Sequence, residues 1–235
     1  MCYTNATYLV KSHYRKEVIK MSQKIFFING FGGGREDSLE LRESLEEKGY
    51  EFTYLDLPGQ FGAKDVTIDD FEELLAYFEG YFPDEEIILM GHSIGAEIAA
   101  YLSTRLTQIE RVIMLDGGIL TNEDVGKTLA ESMEETKEVL SQIGGDELSE
   151  EGLLELMKLN DAMKLTIIRP DYKTPTLLLL SDSEEELPIK MQRLEERQNS
   201  YVDYKVIQKA SHNLYADQPD LTVKLIAEWL ANARI

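Results

Sequence analysis

One stretch constrains the fold of this chain more than any other, because it joins a buried strand, a serine between glycines and a helix. Ile87 to Met90 are four consecutive apolar residues, a pattern typical of a strand buried on both faces. Ile94 to Leu102 carry alanine, glutamate and leucine at helical spacing. The five residues from Gly91 to Gly95 read Gly-His-Ser-Ile-Gly and fit the pattern of a strained strand-to-helix turn that exposes a serine hydroxyl. The stretch therefore predicts Ser93 as a nucleophile; the simpler alternative is a serine that only caps the helix.

The two glycines of this turn have a steric explanation. The entering strand and the leaving helix come so close that a Cβ two residues either side of Ser93 would collide with backbone. Ser93 would also lie at a helix N-terminus, where free N–H groups and the positive end of the helix dipole stabilise developing negative charge.

Strand and helix patterns alternate along most of the chain. Strands are predicted at 24–29, 51–56, 87–90, 111–116, 176–180 and 202–207. Helices are predicted at 37–48, 71–78, 94–102, 187–197 and from 217 onwards, with a capping box at Thr67–Asp70 that opens the second. This alternation predicts an α/β fold, a doubly wound and mostly parallel sheet with helices on both faces.

The alternation stops from about 119 to 172. Two apolar helical faces, one between 125 and 143 and one between 153 and 163, lie on either side of Gly144-Gly145. We interpret this insertion as a helical cap over the serine turn, because it follows a strand on the ligand-binding edge of the sheet. The alternative is that both helices pack on the helices of the sheet. We expect a single domain over 1–235 with this insertion, while 1–22 allow either an edge hairpin or an extension.

Charge and cysteine content exclude several classes of partner. With 24 basic and 44 acidic residues, the formal charge is −20, which repels nucleic acid and anionic membrane surfaces. Cys2 is the single cysteine, so an intrachain disulfide is impossible, and we expect a cytoplasmic protein. No run approaches the ~20 apolar residues of a membrane span, and the first 20 residues contain no signal-peptide core. A small-molecule substrate is the expected partner.

The three histidines are too few and too scattered for a metal cluster, and we expect neither a metal nor a cofactor. His212 follows the last predicted strand, at the same edge of the sheet as Ser93, and is the candidate general base; a loop histidine with a structural role is the alternative. His92 adjoins the serine on a tight turn, so its side chain should point elsewhere and act as a polar neighbour. His13 should lie on the surface.

Two carboxylates could orient the histidine. Asp116 ends the strand after the serine turn and is the only carboxylate in an apolar setting, so we favour it. Its alternative role is a turn residue that bonds its own backbone. Glu184 ends the following strand, inside the acidic run 182–186, and such runs usually cap helices in solvent.

A serine hydrolase also needs two donors for the oxyanion. The backbone N–H of Ile94, directly after the serine, is one candidate. The backbone N–H of Phe31, in the glycine-rich loop 30–34, is the other.

These motifs resemble those of the α/β-hydrolase superfamily, and the resemblance extends from Lys24 to the C-terminus. Residues 29–33 are similar to its His-Gly-x-Gly oxyanion loop, 56–62 to its Asp-x-Pro-Gly-x-Gly turn, and 210–219 to its histidine loop. The resemblance implies Ser93 as nucleophile and His212 as base.

Two positions depart from the family pattern. Asn29 replaces the usual histidine, which affects support of the loop more than the donor itself. The run from Ser181 to Glu184 replaces the usual Gly-x-x-Asp, whereas thioesterase-like members take the acid from the strand after the serine turn, where Asp116 lies. Both acids therefore remain candidates.

The expected function is hydrolysis of a small ester or thioester through an acyl-enzyme, with the cap selecting an apolar acyl or leaving group. A carboxylesterase and an acyl-thioesterase are not separable by sequence. The alternative is a ligand-binding or signalling protein with the same fold and slow or no turnover.

Overall fold

The computed structural model describes residues 22–143 and 145–232, and the expectations for the N-terminal segment and His13 lie outside these residues. Within the described part, one sheet has the strand order β2-β1-β3-β4-β5-β6. The strands are β1 (Lys24–Ile28), β2 (Glu51–Leu55), β3 (Ile87–His92), β4 (Ile109–Leu115), β5 (Thr176–Ser181) and β6 (Val202–Ile207). All neighbouring strands are parallel, so the predicted fold class is confirmed.

The helices of the described residues cover both faces of this sheet. They are α1 (Leu39–Glu47), α2 (Phe71–Glu79), α3 (Ile94–Ser103), α4 (Leu129–Ile143), α5 (Glu150–Met163), α6 (Leu187–Glu196), α7 (Leu214–Asp217) and α8 (Pro219–Asn232). Alternate strand residues point to opposite faces. Phe26 accordingly lies in one buried cluster with α2, α3, α5 and α6, and Phe27 lies in the other with α1, α7 and α8.

Helix α2 begins at Phe71 as predicted, but the predicted N-cap residue is wrong. Asp70, and not Thr67, is the N-cap: its Oδ1 accepts hydrogen bonds from the N–H groups of Glu72 and Glu73, both at 2.9 Å. Asp70 is extended and directly precedes the first helical residue, so its short carboxylate reaches both free donors. Thr67 lies outside the helix.

The two helices between β4 and β5 differ in how they pack. α5 packs on α3 and contributes Leu153, Leu156 and Met163, all fully buried, to the core. α4 packs on α5, and of its residues 129–142 only Leu140 is buried, while Val139 is 52% exposed. The insertion therefore combines a core helix with an amphipathic outer helix.

Candidate active site

Ser93 lies on a strained turn between β3 and α3. Its φ of 54° and ψ of −124° are unusual for a residue with a side chain. A Cβ at Gly91 would overlap the carbonyl group of Gly95, and a Cβ at Gly95 would overlap the carbonyl oxygen of Ile28 in β1. Glycine is therefore required on both sides of Ser93: at Gly91 the close approach is within the turn itself, and at Gly95 it is to the end of β1.

The glycine-rich loop after β1 approaches the serine closely. A Cβ at Gly30 would lie 3.0 Å from the Cβ of Ser93. Gln60, which is fully buried, holds the loop: its Oε1 accepts from the N–H of Gly32 at 3.0 Å and its Nε2 donates to the carbonyl of Gly30 at 3.2 Å. Gln60 belongs to the family-like turn 56–62, but no sequence pattern indicates this supporting role.

His212 lies in the loop after β6, and its side chain is 53% exposed. His212 and Ser93 line the same cavity of about 480 Å³, together with Phe31 and with Val139 and Leu140 of α4. Within the described residues, the hydroxyl of Ser93 makes no hydrogen bond. A nucleophile and its base often reach hydrogen-bond distance only once substrate is bound.

Asp116 is the carboxylate that meets His212. Its Oδ2 lies 2.8 Å from Nδ1 of His212, and its side chain is 1% exposed. It also accepts from the N–H and the hydroxyl of Ser181, at 3.1 and 2.8 Å, and from Nζ of Lys190 at 3.0 Å. Burial raises the pKa of Asp116, but the His212 hydrogen bond, the Lys190 charge and the Ser181 bonds outweigh it and hold the pKa well below its usual range.

The acidic run after β5 has a different role. Glu184 is exposed, and no hydrogen bond joins it to His212 within the described residues. Asp182 accepts from the N–H groups of Lys209 and Ala210, at 2.7 and 3.0 Å, and so fixes the loop that carries His212. Of the two candidate acids, only Asp116 lies beside the histidine.

His92 supports the loop of His212. Its Nε2 donates to the carbonyl of His212 at 2.9 Å, and its Nδ1 lies 3.2 Å from Oδ1 of Asn29. Tyr215 donates to the same Asn29 oxygen at 3.1 Å. Burial, with a smaller contribution from His212, lowers the pKa of His92 to about 4, so the imidazole is neutral near pH 7.

The two expected oxyanion donors both adjoin Ser93. Phe31 and Ile94 line a second cavity of about 270 Å³ with Ser93 and His212. Within the described residues, the backbone N–H groups of Phe31 and Ile94 have no hydrogen-bond acceptor, so both remain free for a ligand oxygen.

The same second cavity has polar walls that sequence reasoning missed. Glu97 of α3, Asn160 and Lys164 line it, and Lys190 reaches it from α6. Glu97 could have been noticed, because it interrupts an otherwise apolar helix. Lys190 carries no such signal, because nothing in its neighbourhood of the sequence indicates that it is buried.

Among residues 22–143 and 145–232, no group of three or more histidine, cysteine or acidic side chains is arranged to hold a metal ion. No helix in this part of the chain is both long enough and apolar enough to cross a membrane.

Solved structures with similar folds include three enzymes. A carboxylesterase from Nitrososphaera gargenis aligns over 90% of both chains with a TM-score of 0.70 and 14% identity. An enol-lactonase from Burkholderia xenovorans LB400 aligns over 90% of this chain and 92% of that chain, with a TM-score of 0.69 and 18% identity. A monoacylglycerol lipase from Paleococcus ferrophilus aligns over 88% and 93%, with a TM-score of 0.66 and 19% identity.

The sequence was compared with curated proteins and with models of protein families, independently of the fold. No curated protein matches it significantly. The family model described as alpha/beta hydrolase fold matches residues 24–145, just over half of the chain. This match covers the glycine-rich loop, the serine turn and Asp116. The chain therefore belongs to the α/β-hydrolase fold family, as the sequence motifs indicated.

Proposed function

We propose that this protein is a serine hydrolase that cleaves a small ester or thioester through an acyl-enzyme on Ser93. One observation carries the proposal: Ser93, on a strained turn, shares a cavity with His212, whose Nδ1 lies 2.8 Å from the buried carboxylate of Asp116. The carboxylesterase, lactonase and lipase names of similar folds agree with this reaction class.

The first half of the reaction forms the acyl-enzyme. Ser93 Oγ attacks the carbonyl carbon while Nε2 of His212 takes the hydroxyl proton. The carbonyl oxygen becomes an oxyanion, which accepts hydrogen bonds from the N–H groups of Phe31 and Ile94. Asp116, held ionised by Lys190 and Ser181, stabilises the imidazolium that forms. Collapse of the intermediate breaks the bond to the leaving oxygen or sulfur, which takes the proton from His212.

The second half regenerates the enzyme. A water molecule gives a proton to His212 and attacks the acyl carbonyl. The second oxyanion uses the same two N–H donors, and its collapse returns the proton to Ser93 and releases the carboxylic acid.

The helical insertion acts in this proposal as a cap over the scissile bond. Its outer helix, α4, contributes Val139 and Leu140 to the cavity that also contains Ser93 and His212. These side chains would contact the apolar part of a substrate and exclude water from it.

A fluorophosphonate probe tests the nucleophile. We expect covalent labelling of the wild-type protein at Ser93, located by peptide mass spectrometry, and no labelling of Ser93→Ala. Unchanged labelling of Ser93→Ala would contradict the assignment. No labelling of a folded wild-type protein would favour a ligand-binding protein without turnover.

Hydrolysis of p-nitrophenyl esters of graded chain length, measured beside acyl-CoA thioesters, separates the two substrate types. A kcat/KM that is higher for esters than for thioesters of the same acyl group would identify a carboxylesterase, and the opposite order a thioesterase.

A further inference from the structure

The smaller cavity beside Ser93 has a polar wall built from two helices. Glu97 of α3 and Asn160 of α5 are each only 8% exposed, and both line this cavity of about 270 Å³. Buried polar groups are unfavourable unless they have hydrogen-bond partners. If the polar atoms of Glu97 and Asn160 have all their hydrogen-bond partners within the protein, the two residues stabilise the fold. If they lack partners, they are candidates for binding a ligand.

Glu97 has too few donors to offset its burial. Its Oε1 accepts from the N–H of Gly118 at 3.2 Å. Burial raises the pKa of Glu97, and the charge of Lys164 with hydrogen bonds from Asn160 and Gly118 offsets this only in part. A further donor would stabilise the carboxylate, so the site favours a ligand that brings one.

Asn160 has an open acceptor. Its Oδ1 is buried and has no hydrogen-bond partner among the described residues. Lys164 is close to this region, but its Nζ donates to Oδ1 of Asn122 at 2.9 Å and lies 3.6 Å from Asp161. The ammonium group of Lys164 is therefore engaged with Asn122 and Asp161 and leaves the amide oxygen without a donor.

We propose that this cavity binds a small moiety of the substrate that carries a hydrogen-bond donor, a hydroxyl or an ammonium group, and that Glu97 and Asn160 recognise it. The inference rests on the proposed hydrolase function and specifies its substrate as a hydroxylated or aminated ester or thioester. A purely apolar moiety would desolvate both acceptors without replacing their hydrogen bonds.

The remaining walls agree with a moiety that is polar at one end. Ile119, Leu120 and Met157 line the same cavity and would contact its carbon atoms. The larger cavity, which is lined by Val139 and Leu140, would take the apolar part of the substrate. The two cavities share Ser93 and His212, so a substrate can occupy both.

Matched esters test the inference, because a hydroxyl and a methyl group have nearly the same size. p-Nitrophenyl 3-hydroxybutanoate and 3-methylbutanoate differ on the acyl side, and 2-hydroxyethyl and propyl butanoate differ on the alcohol side. We expect wild-type kcat/KM to favour the hydroxylated member of one pair by about tenfold or more. p-Nitrophenyl 3-aminobutanoate then distinguishes a preference for ammonium from one for hydroxyl.

Variants locate the preference. Glu97→Leu and Asn160→Leu should each bring the hydroxyl-to-methyl ratio of kcat/KM close to one. Glu97→Gln keeps an acceptor for Gly118 but loses the charge, so it should lose any ammonium preference and keep part of the hydroxyl preference. Glu151→Gln, an exposed position in the first turn of α5, is the control and should keep the wild-type ratio.

Two results would overturn the inference. One is a wild-type protein that turns over both pairs without preference. The other is a preference that survives both leucine substitutions in proteins with wild-type melting temperatures. If the leucine variants do not fold, Glu97→Gln decides: an ammonium or hydroxyl preference identical to wild type counts against the inference.

Failure of hydrolysis would be a separate result. If the wild-type protein cleaves none of these esters and none of the acyl-CoA thioesters, the proposed function is wrong, and binding alone tests the cavity. The Ser93→Ala protein, labelled with ¹⁵N, is titrated with 3-hydroxybutanamide and 3-methylbutanamide while the side-chain amide signal of Asn160 is followed by NMR. Saturation by the hydroxylated amide alone would support the inference, and equal responses or none would overturn it.

Discussion

Asp116 and Glu97 are buried carboxylates on the walls of one cavity, yet they differ in the donors that surround them. Asp116 accepts hydrogen bonds from His212, Ser181 and Lys190, and its pKa is lowered. Glu97 has hydrogen bonds only from the Asn160 side chain and the N–H of Gly118 among the described residues, and burial raises its pKa. Burial alone therefore does not decide the charge of a carboxyl group; the number and charge of its donors do.

The largest expected effect concerns the role of Asp116. Asp116→Asn should lower kcat by about 10³–10⁴-fold, because an amide cannot stabilise the imidazolium and favours the wrong histidine tautomer. The measurement is steady-state hydrolysis of a p-nitrophenyl ester. Glu184→Gln is the matched control and should change kcat by less than about threefold, since Glu184 is exposed. The reverse ranking would move the orienting acid to the end of β5.

The second largest expected effect is a loss of stability on substitution of Lys190. Its side chain is 4% exposed and bonds Asp116 at 3.0 Å and Glu186 at 2.8 Å. Lys190→Met should lower the free energy of unfolding by about 3 kcal/mol, because it leaves buried negative charge without its cation. Urea denaturation measures this. Lys158→Met removes a cation from an exposed pair and should cost under about 1 kcal/mol; equal losses in both variants would contradict the comparison.

The lowered pKa of His92 predicts that the stability of the protein depends on pH. The pKa of His92 in the folded protein is about 4, against about 6.5 when unfolded. Between these values the unfolded chain binds more protons, so stability falls as the pH falls. The wild-type protein should lose about 2 kcal/mol relative to His92→Gln between pH 7 and pH 5. Urea denaturation at both pH values measures the difference, and a difference independent of pH would show that His92 titrates normally.

The smallest expected effect is on stability at pH 7 when Glu97 is substituted, and the pH dependence of its contribution is opposite to that of Asp116. Because the pKa of Glu97 is raised on folding, its contribution to stability is full below the unfolded value of about 4.3 and is lost as the pH rises through the higher folded pKa. Glu97→Gln should therefore change the free energy of unfolding at pH 7 by less than about 1 kcal/mol, and any change should be stabilising. Asp116 has the opposite sign: its contribution is full above about pH 3.9 and is lost on further acidification.

These two pH slopes form one experiment. Unfolding free energies of the wild-type protein, Glu97→Gln and Asp116→Asn are compared from pH 7 to pH 2 by urea denaturation. Slopes of the same sign for the two carboxylates would contradict the difference in their surroundings.

Much of the fold could be predicted from local patterns. Alternating apolar periodicity located all six strands of the described sheet, with ends within a few residues. Errors appeared where two nearby residues could do the same job, as at the start of α2, where Asp70 caps the helix instead of Thr67. The packing of the insertion was not predictable either, since an amphipathic pattern shows that a face is covered but not what covers it.

The sequence by itself determined the strand–turn–helix around Ser93, because the glycine requirement there is a short-range steric effect between residues close in the chain and one adjacent strand. It also restricted the orienting acid to Asp116 or Glu184. Only the tertiary structure decided that Asp116 faces His212, that Lys190 neutralises it, and that Glu97 faces Asn160. These contacts join residues up to 96 positions apart, and strand order and helix rotation, which depend on packing of the whole core, set which side chains meet.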